Sequence, residues 1–246
     1  MTDAAETTPF RLAYVPGVTP SKWVRIWNER ITDVPLELVT VAAAEATTRL
    51  RDGSADAGLV RLTDRDPNLS AIPLYTEVTV VVVPKDHVFC AADEIGVADL
   101  SDEIVLSPLD DCLSWSSPPG KPAVDRPAST GDAVELVAAG IGVLVVPQSL
   151  ARLHHRKDLT YRPVVGAPES RIALSWREDH TTELVEEFIG IVRGRTVNSS
   201  RGRKSSEQQP TKTKPARKKP DKPARNAAKR TPAPRRSSRS RPRGRR

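Results

Sequence analysis

The segment RLRDGSADAGLVRL (residues 49–62) decides the fold, because it joins the end of a helix to a strand through a short turn. Gly53 is predicted to end a helix over residues 42–52, since glycine adopts the left-handed conformation that helix ends favour. Residues 56–62 (DAGLVRL) then predict a strand bounded by turn residues. A helix that leads directly into a strand is typical of an α/β domain.

The residues upstream complete an alternating pattern of strands and helices. Residues 10–15 (FRLAYV) and 36–41 (LELVTV) predict two strands. Between them, residues 21–31 (SKWVRIWNERI) place Trp23 and Trp27 on one apolar stripe at helical spacing, and the first serine is a candidate N-cap. Three strands that alternate with two helices predict a parallel sheet with right-handed crossovers.

The same alternation begins again downstream. Residues 78–83 (VTVVVV) are apolar at nearly every position, as expected of a strand buried on both faces. The further predicted elements are a helical turn at 97–100, strands at 103–106, 143–146 and 171–177, an extended segment at 159–165, and helices that begin at Thr130, Pro147 and Thr181. Two α/β units joined by two extended segments predict a cleft between them.

Charge divides the chain after Gly194. The 246 residues include 38 Lys and Arg against 31 Asp and Glu, for a net charge of +7. Residues 195–246 have a net charge of +18, which leaves −11 for the first 194 residues. These last 52 residues contain only six apolar side chains, too few to offset an ordering entropy of about 1–2 kcal/mol per residue. We therefore predict a folded region over 10–193, with disordered segments over 1–9 and 194–246.

Several classes of protein are excluded by the sequence. It contains no run of 18 apolar residues and no secretory signal, so a cytoplasmic protein is predicted. Cys90 and Cys112 are too few for a disulfide framework and are interpreted as structural thiols. The GxSxG, Walker, GxGxxG and HExxH motifs are absent, and the adjacent His154 and His155 would diverge on a helix. We predict no enzymatic activity, no metal and no cofactor.

Five motifs, taken in order, resemble the effector-binding (substrate-binding) domain of LysR-type transcriptional regulators. They are RLRDGSADAGLVRL (49–62), VVVVPKDH (80–87), VADLSDEIVLSP (97–108), ELVAAGIGVLVVPQS (135–149) and RIALSWRE (171–178). The resemblance implies the type 2 periplasmic-binding-protein fold, an α/β fold with two Rossmann-like subdomains joined by two crossover strands. One subdomain would contain residues 10–77 and 166–193, and the other residues 86–160. A small organic effector would bind between them and influence transcription.

Four residues are predicted to line this crevice, because ligands bind beyond the carboxyl ends of strands in open α/β sheets. They are Thr19 after the first strand, Arg61 near the end of the third, Ser107 after the strand at 103–106, and Thr130 at the start of a helix. For Thr19 and Thr130 the alternative role is helix capping.

Arg61 is the strongest single candidate among them. Its position resembles that of an arginine that family members responding to aromatic acids use near their effector, and a guanidinium can hold a carboxylate with two hydrogen bonds. A carboxylate is therefore one candidate effector. The alternative is an ion pair with Asp64 or Asp66.

The sequence departs from the family pattern in three places. Nine residues precede the first strand and cannot hold the winged helix-turn-helix of the family, so groove reading by a recognition helix is not expected in this chain. Alanines occupy 42–44, where relatives often present Ser or Thr to the effector, and the segment 110–129 is short and rich in proline. The last two departures would alter the effector pocket, and the alternative hypothesis is a domain that has lost its ligand and works as a protein-interaction module.

The basic tail and the tryptophan stripe predict two kinds of partner. The tail has no aromatic residues, so it cannot read bases, but its Lys and Arg can neutralise the phosphates of nucleic acid. The candidate contact residues are Arg217, Lys218, Lys219, Lys229, Arg230, Arg235 and Arg236. The alternative is a tail that folds back on the acidic domain. The resemblance also implies a homodimer, and Trp23 and Trp27 are candidates for its interface or for the core.

Overall fold

The computed structural model describes residues 8–62, 66–113 and 115–195. The disorder predicted for residues 1–7 and for the basic tail beyond residue 195 lies outside these ranges. Within them, the strands are β1 (Phe10–Tyr14), β2 (Leu36–Thr40), β3 (Ala57–Leu62), β4 (Leu69–Glu77), β5 (Thr79–Pro84), β6 (Ile95–Gly96), β7 (Ile104–Leu106), β8 (Lys121–Pro122), β9 (Val143–Pro147), β10 (Leu159–Val165) and β11 (Ser170–Arg177). The α-helices are α1 (Ser21–Arg30), α2 (Ala46–Arg51), α3 (Thr130–Ala138), α4 (Gln148–Leu153) and α5 (Glu183–Val192).

The first sheet has five strands in the order β2-β1-β3-β11-β4. Strand β1 pairs in parallel with β2 and β3, as the alternating pattern predicts, whereas β11 pairs in antiparallel fashion with β3 and β4. The sequence pattern did not single out β4 as a strand. We call this sheet, together with α1, α2 and α5, the first lobe.

The second sheet has six strands in the order β6-β10-β5-β9-β7-β8 and, together with α3 and α4, forms the second lobe. Strand β5 lies in its centre, where Val80 and Val82 pack into one core and Val81 and Val83 into another on the opposite face. All four side chains are buried, which confirms the predicted strand with two covered faces. The two-sheet α/β architecture confirms the predicted fold class.

Aromatic stacking defines the core of the first lobe. Trp27 is fully buried, and its ring lies 4.6 Å from that of Phe10 and 5.9 Å from that of Phe188, measured between ring centroids. Its indole Nε1 donates a 2.9 Å hydrogen bond to the carbonyl of Val34. Trp27 is therefore a core residue, whereas Trp23 is only partly buried against the same cluster.

Several helix starts differ from the predictions. The N-cap of α1 is Pro20 rather than Ser21, and the predicted first turn of the second helix, residues 42–45, is not helical, so α2 begins at Ala46. Pro147 ends β9 and caps α4 without being helical itself. Serine usually occupies the N-cap and proline the first helical position, and α1 and α4 both depart from this preference by placing proline at the N-cap.

No helix in the described part of the chain combines the length and the apolar character needed to cross a lipid bilayer.

Candidate functional site

A cleft of about 850 Å³ lies between the two lobes. The first lobe contributes the loop after β1 (residues 16–20) and Leu38 and Thr40 of β2 to its walls. The second lobe contributes the start of α3 and the exposed side of α4. The walls therefore combine strand ends, loop residues, the start of α3 and one side of α4. A cavity of this volume accommodates a small organic molecule.

Arg61 lies at the base of this cleft in a buried ion pair. Its Nη2 is 3.2 Å from Oε2 of Glu77, and the two side chains are only 3% and 5% exposed. The hydroxyl of Ser170 donates a 3.0 Å hydrogen bond to the same carboxylate oxygen. Removal of two charges from water is costly, so the guanidinium and the carboxylate depend on each other and on this hydroxyl.

The remaining contacts of Arg61 connect the two lobes. Its Nε donates to the Ser170 hydroxyl at 3.1 Å, and its Nη1 donates to the carbonyl of Pro16 at 2.8 Å. Its Nη2 also donates to the hydroxyl of Ser149, at the start of α4 in the second lobe, at 3.1 Å. The protein itself thus occupies four of the five N–H groups of the guanidinium.

The alternative prediction that Arg61 forms an ion pair with Asp66 is wrong. That carboxylate accepts a 2.7 Å hydrogen bond from Nε of Arg51 instead. Arg61, on β3, pairs with Glu77 at the end of β4, two strands away in the same sheet. Asp64 lies outside the described residues. Glu77 could not be found from sequence spacing, because β11 lies between β3 and β4 and only this topology brings Ser170 and Glu77 to Arg61.

Thr130 lines the cleft at the beginning of α3, but it is not the cap of that helix. Ser129 is the N-cap, and its hydroxyl accepts a 3.1 Å hydrogen bond from the backbone N–H of Asp132. The buried Thr130 hydroxyl instead donates to Oδ1 of Asp110 at 2.9 Å. Asp110 also lines the cleft, so a carboxylate already faces the start of this helix.

The other two predicted residues occupy different places. Thr19 is exposed on the loop after β1 and lines the cleft with Arg61 and Thr130. Ser107 is not among the described residues that line it, and its carbonyl accepts a 2.8 Å hydrogen bond from Nε of Arg126. The structure thus brings three of the four predicted residues to one cleft, and their contact with a ligand stays a prediction.

Sequence reasoning missed Ser149 and Cys112, which also line the cleft. Ser149 follows the predicted helix start at Pro147, a position that could have indicated a place at the cleft. Cys112 is partly buried, and this burial raises the pKa of its thiol from about 9 to about 11 against the smaller opposing effect of Arg61. Cys112 is therefore a protonated thiol at neutral pH. Among the described residues, no group of three or more His, Cys, Asp or Glu side chains is placed to hold a metal ion.

Gly17 permits the close approach of the lobes. Its φ of +88° lies in the left-handed region, and a Cβ there would lie 2.5 Å from the Ser149 hydroxyl oxygen and 3.2 Å from Nη2 of Arg61. Gly17→Ala should therefore lower the free energy of unfolding by about 1–3 kcal/mol through backbone strain, and by more where the contact cannot relax. Urea unfolding measures this loss.

Gly140→Ala is the matched control for this substitution, since Gly140 also has a positive φ (+73°) but no atom within 4 Å of the added Cβ. Equal losses of stability in the two variants would contradict a steric role for Gly17 at the contact between the lobes.

Two α/β lobes that enclose a cleft between strand ends and helix starts define the class of two-lobed effector-binding domains. The chain belongs to the LysR substrate-binding domain family, whose profile matches residues 6–196. This confirms the resemblance recognised in the sequence.

The relatives of this chain are transcriptional regulators. The chain is 25% identical over 208 residues to the Hca operon transcriptional activator HcaR of Escherichia coli, a match that covers 78% of this chain and 70% of that protein. It is 28% identical over 216 residues to a probable hydrogen peroxide-inducible genes activator of Mycobacterium avium, with coverage of 80% and 69%. The effector-binding domain of BenM, solved with its effector benzoate, has the same fold, with a TM-score of 0.65, 21% identity, and coverage of 78% of this chain and 92% of that one.

Proposed function

We propose that this chain senses a small organic effector in the cleft between its lobes and passes the binding event to transcription. The observation that carries this proposal is the contact between Arg61 and Ser149, which joins the lobes at the base of the cleft. A ligand that contacts both lobes would gain or lose contacts when the distance between the lobes changes. A ligand that prefers one separation shifts the population toward it, and this difference in affinity is the signal.

A ligand screen tests the proposal on the full chain. At 100 times its dissociation constant, an effector stabilises the folded state by about 2.7 kcal/mol, which a thermal shift detects. Ala42→Trp would place a large side chain in the cleft, because Ala42 is an exposed residue of its wall, whereas the exposed Ala44 is not among the residues that line it. We expect Ala42→Trp to abolish the shift and Ala44→Trp to preserve it. A library of small acids, amides and alcohols that produces no shift would favour a protein-interaction module without a ligand.

We infer that peroxide is not sensed through Cys112, although three relatives are named for induction by hydrogen peroxide. The thiolate is the reactive form, and burial raises the pKa of the Cys112 thiol to about 11. In the Cys90→Ser variant, the rate of alkylation by iodoacetamide should rise with pH toward a midpoint near 11. The Cys112→Ser variant reports Cys90 separately. A midpoint for Cys112 below 9 would contradict this assignment.

The basic tail supports a second part of the proposed function, a non-specific attachment to nucleic acid in the cytoplasm. Its net charge of +18 with no aromatic residue suits phosphate neutralisation rather than base reading. The folded region carries the opposite charge of −11, so it would not add to this attraction. We infer no catalytic role for the chain, and we expect a homodimer as its assembly state.

Salt dependence distinguishes this attachment from a tail that folds back on the domain. If about 10 tail charges contact duplex DNA, the slope of log affinity against log salt should be near −9. A chain that ends after Arg195 should lose this binding. Arg195 is kept because its carbonyl accepts a 2.7 Å hydrogen bond from Arg30. In the full-length chain, substitution of Gln for the seven candidate contact residues of the tail should make the slope of log affinity against log salt shallower by about 6. Equal DNA binding by the full and shortened chains would refute the attachment.

A further inference from the structure

We propose that Glu77 sets the charge preference of the cleft, so that the cleft selects uncharged ligands with an apolar body over carboxylates. This inference rests on the proposed function and names the class of effector. Its first support is the guanidinium of Arg61, whose charge is balanced by Glu77 at 3.2 Å. The Nε and Nη2 edge that could grip a carboxylate in two hydrogen bonds is already bound to Ser170 and Glu77.

The helix start in the opposite wall is also supplied with negative charge. Backbone N–H groups at the beginning of a helix attract anions, which would make α3 a natural partner for a ligand carboxylate. Here the carboxylate of Asp110 accepts the Thr130 hydroxyl at 2.9 Å, and Asp132 lies in the first turn. A ligand carboxylate near the start of α3 would be repelled by the carboxylate of Asp110, which already faces this helix start.

Besides Arg61, the described lining has two basic side chains, the imidazole of His154 and the guanidinium of Arg152. Arg152 is exposed on α4, and its Nε donates to the hydroxyl of Tyr161 at 3.3 Å. An ion pair at such an exposed position contributes only about 0–1 kcal/mol, because water and salt screen it. Arg152 therefore cannot replace a buried cation as the partner of a bound carboxylate.

Apolar side chains face the cleft from both lobes. Leu38 on β2 is 41% exposed and Leu153 on α4 is 56% exposed, and both line the cavity. An apolar ligand body would cover these two surfaces at once. Short polar groups, among them Ser149 and Thr19, are available to an amide or a hydroxyl group. Because a carboxylate loses more hydration than an amide of the same shape, the uncharged ligand is favoured where no free cation compensates.

Matched pairs of ligands test this preference on the full chain. The probes are aromatic and aliphatic carboxylic acids, such as benzoate and 2-naphthoate, each paired with its primary amide and measured at pH 7 by ligand-observed NMR titration. We expect the amide to bind about tenfold or more tightly than its acid. An acid that binds the unaltered chain as tightly as its amide would overturn the charge preference alone. Absence of binding by every pair would overturn the proposed function and this inference with it.

Glu77→Gln should largely abolish the preference, because it removes the balancing charge and keeps an oxygen near Arg61. We expect the ratio of acid to amide affinity to rise about tenfold in this variant. Glu37→Gln is the matched control, since Glu37 is exposed on β2, does not belong to the described cleft lining, and should leave the ratio unchanged. Circular dichroism checks that Glu77→Gln is folded. If it is not, the matched pairs on the unaltered chain decide the matter.

Discussion

Trp27→Ala should destabilise the first lobe by about 3–5 kcal/mol, the usual cost when a large buried aromatic side chain is truncated. Trp27 is fully buried, stacks on Phe10 with ring centroids 4.6 Å apart, and also packs against Phe188. The substitution leaves a cavity between β1, α1 and α5 and removes the hydrogen bond from the indole to the Val34 carbonyl. Urea unfolding followed by circular dichroism measures the loss of stability.

Two further substitutions of tryptophan separate packing from an interface role. Trp27→Phe keeps an aromatic ring in the stack and loses mainly the indole hydrogen bond, so it should cost less than Trp27→Ala. Trp23→Ala, at a partly buried position of the same cluster, should also cost less. If Trp27→Ala lowered the dimer affinity and left the unfolding of the monomer unchanged, the core assignment would be wrong.

The sequence predicted the fold well because period and polarity mark its main elements. The apolar run of β5 reveals a strand with two covered faces, and the Trp23 and Trp27 spacing reveals α1. Strand β4 was missed as an element because its alternating exposed residues, with Pro73 among them, suit an edge strand as well as a loop. Local pattern cannot decide between these, since the pairing of β4 with β11 is set across about a hundred residues of chain.

The candidate site was predicted only in outline for the same reason. Thr19, Arg61 and Thr130 were found because strand ends and helix starts meet at one edge of an α/β sheet. Their hydrogen-bond partners are far away in the sequence. Glu77 is 16 residues from Arg61, Ser149 is 88 and Ser170 is 109. The family resemblance and the position near the end of β3 identified the arginine and suggested a carboxylate ligand, whereas the carboxylate of Glu77 that pairs with this arginine follows only from the order of the strands.

The buried pair of Arg61 and Glu77 leads to the second large expected effect. Arg61→Met should lower the free energy of unfolding by about 3–5 kcal/mol, because the carboxylate of Glu77 is left buried without its cation. Glu77→Leu should cost a similar amount by leaving the guanidinium unpaired. Ser170 is buried and bonded to both partners, so it belongs to the same group.

A variant that replaces all three side chains of this group distinguishes mutual dependence from net stabilisation. Arg61→Met, Glu77→Leu and Ser170→Ala together remove every charge and the hydroxyl, so the triple variant should recover to within about 1 kcal/mol of the unaltered chain. Urea unfolding of the single and triple variants provides the comparison. Single substitutions that each cost under about 1 kcal/mol would indicate a hydrated pair. If water reached this pair, Arg61 would be free to bind a ligand carboxylate. The stability measurement therefore also tests whether Glu77 balances the charge of Arg61, which is the basis of the proposed ligand preference.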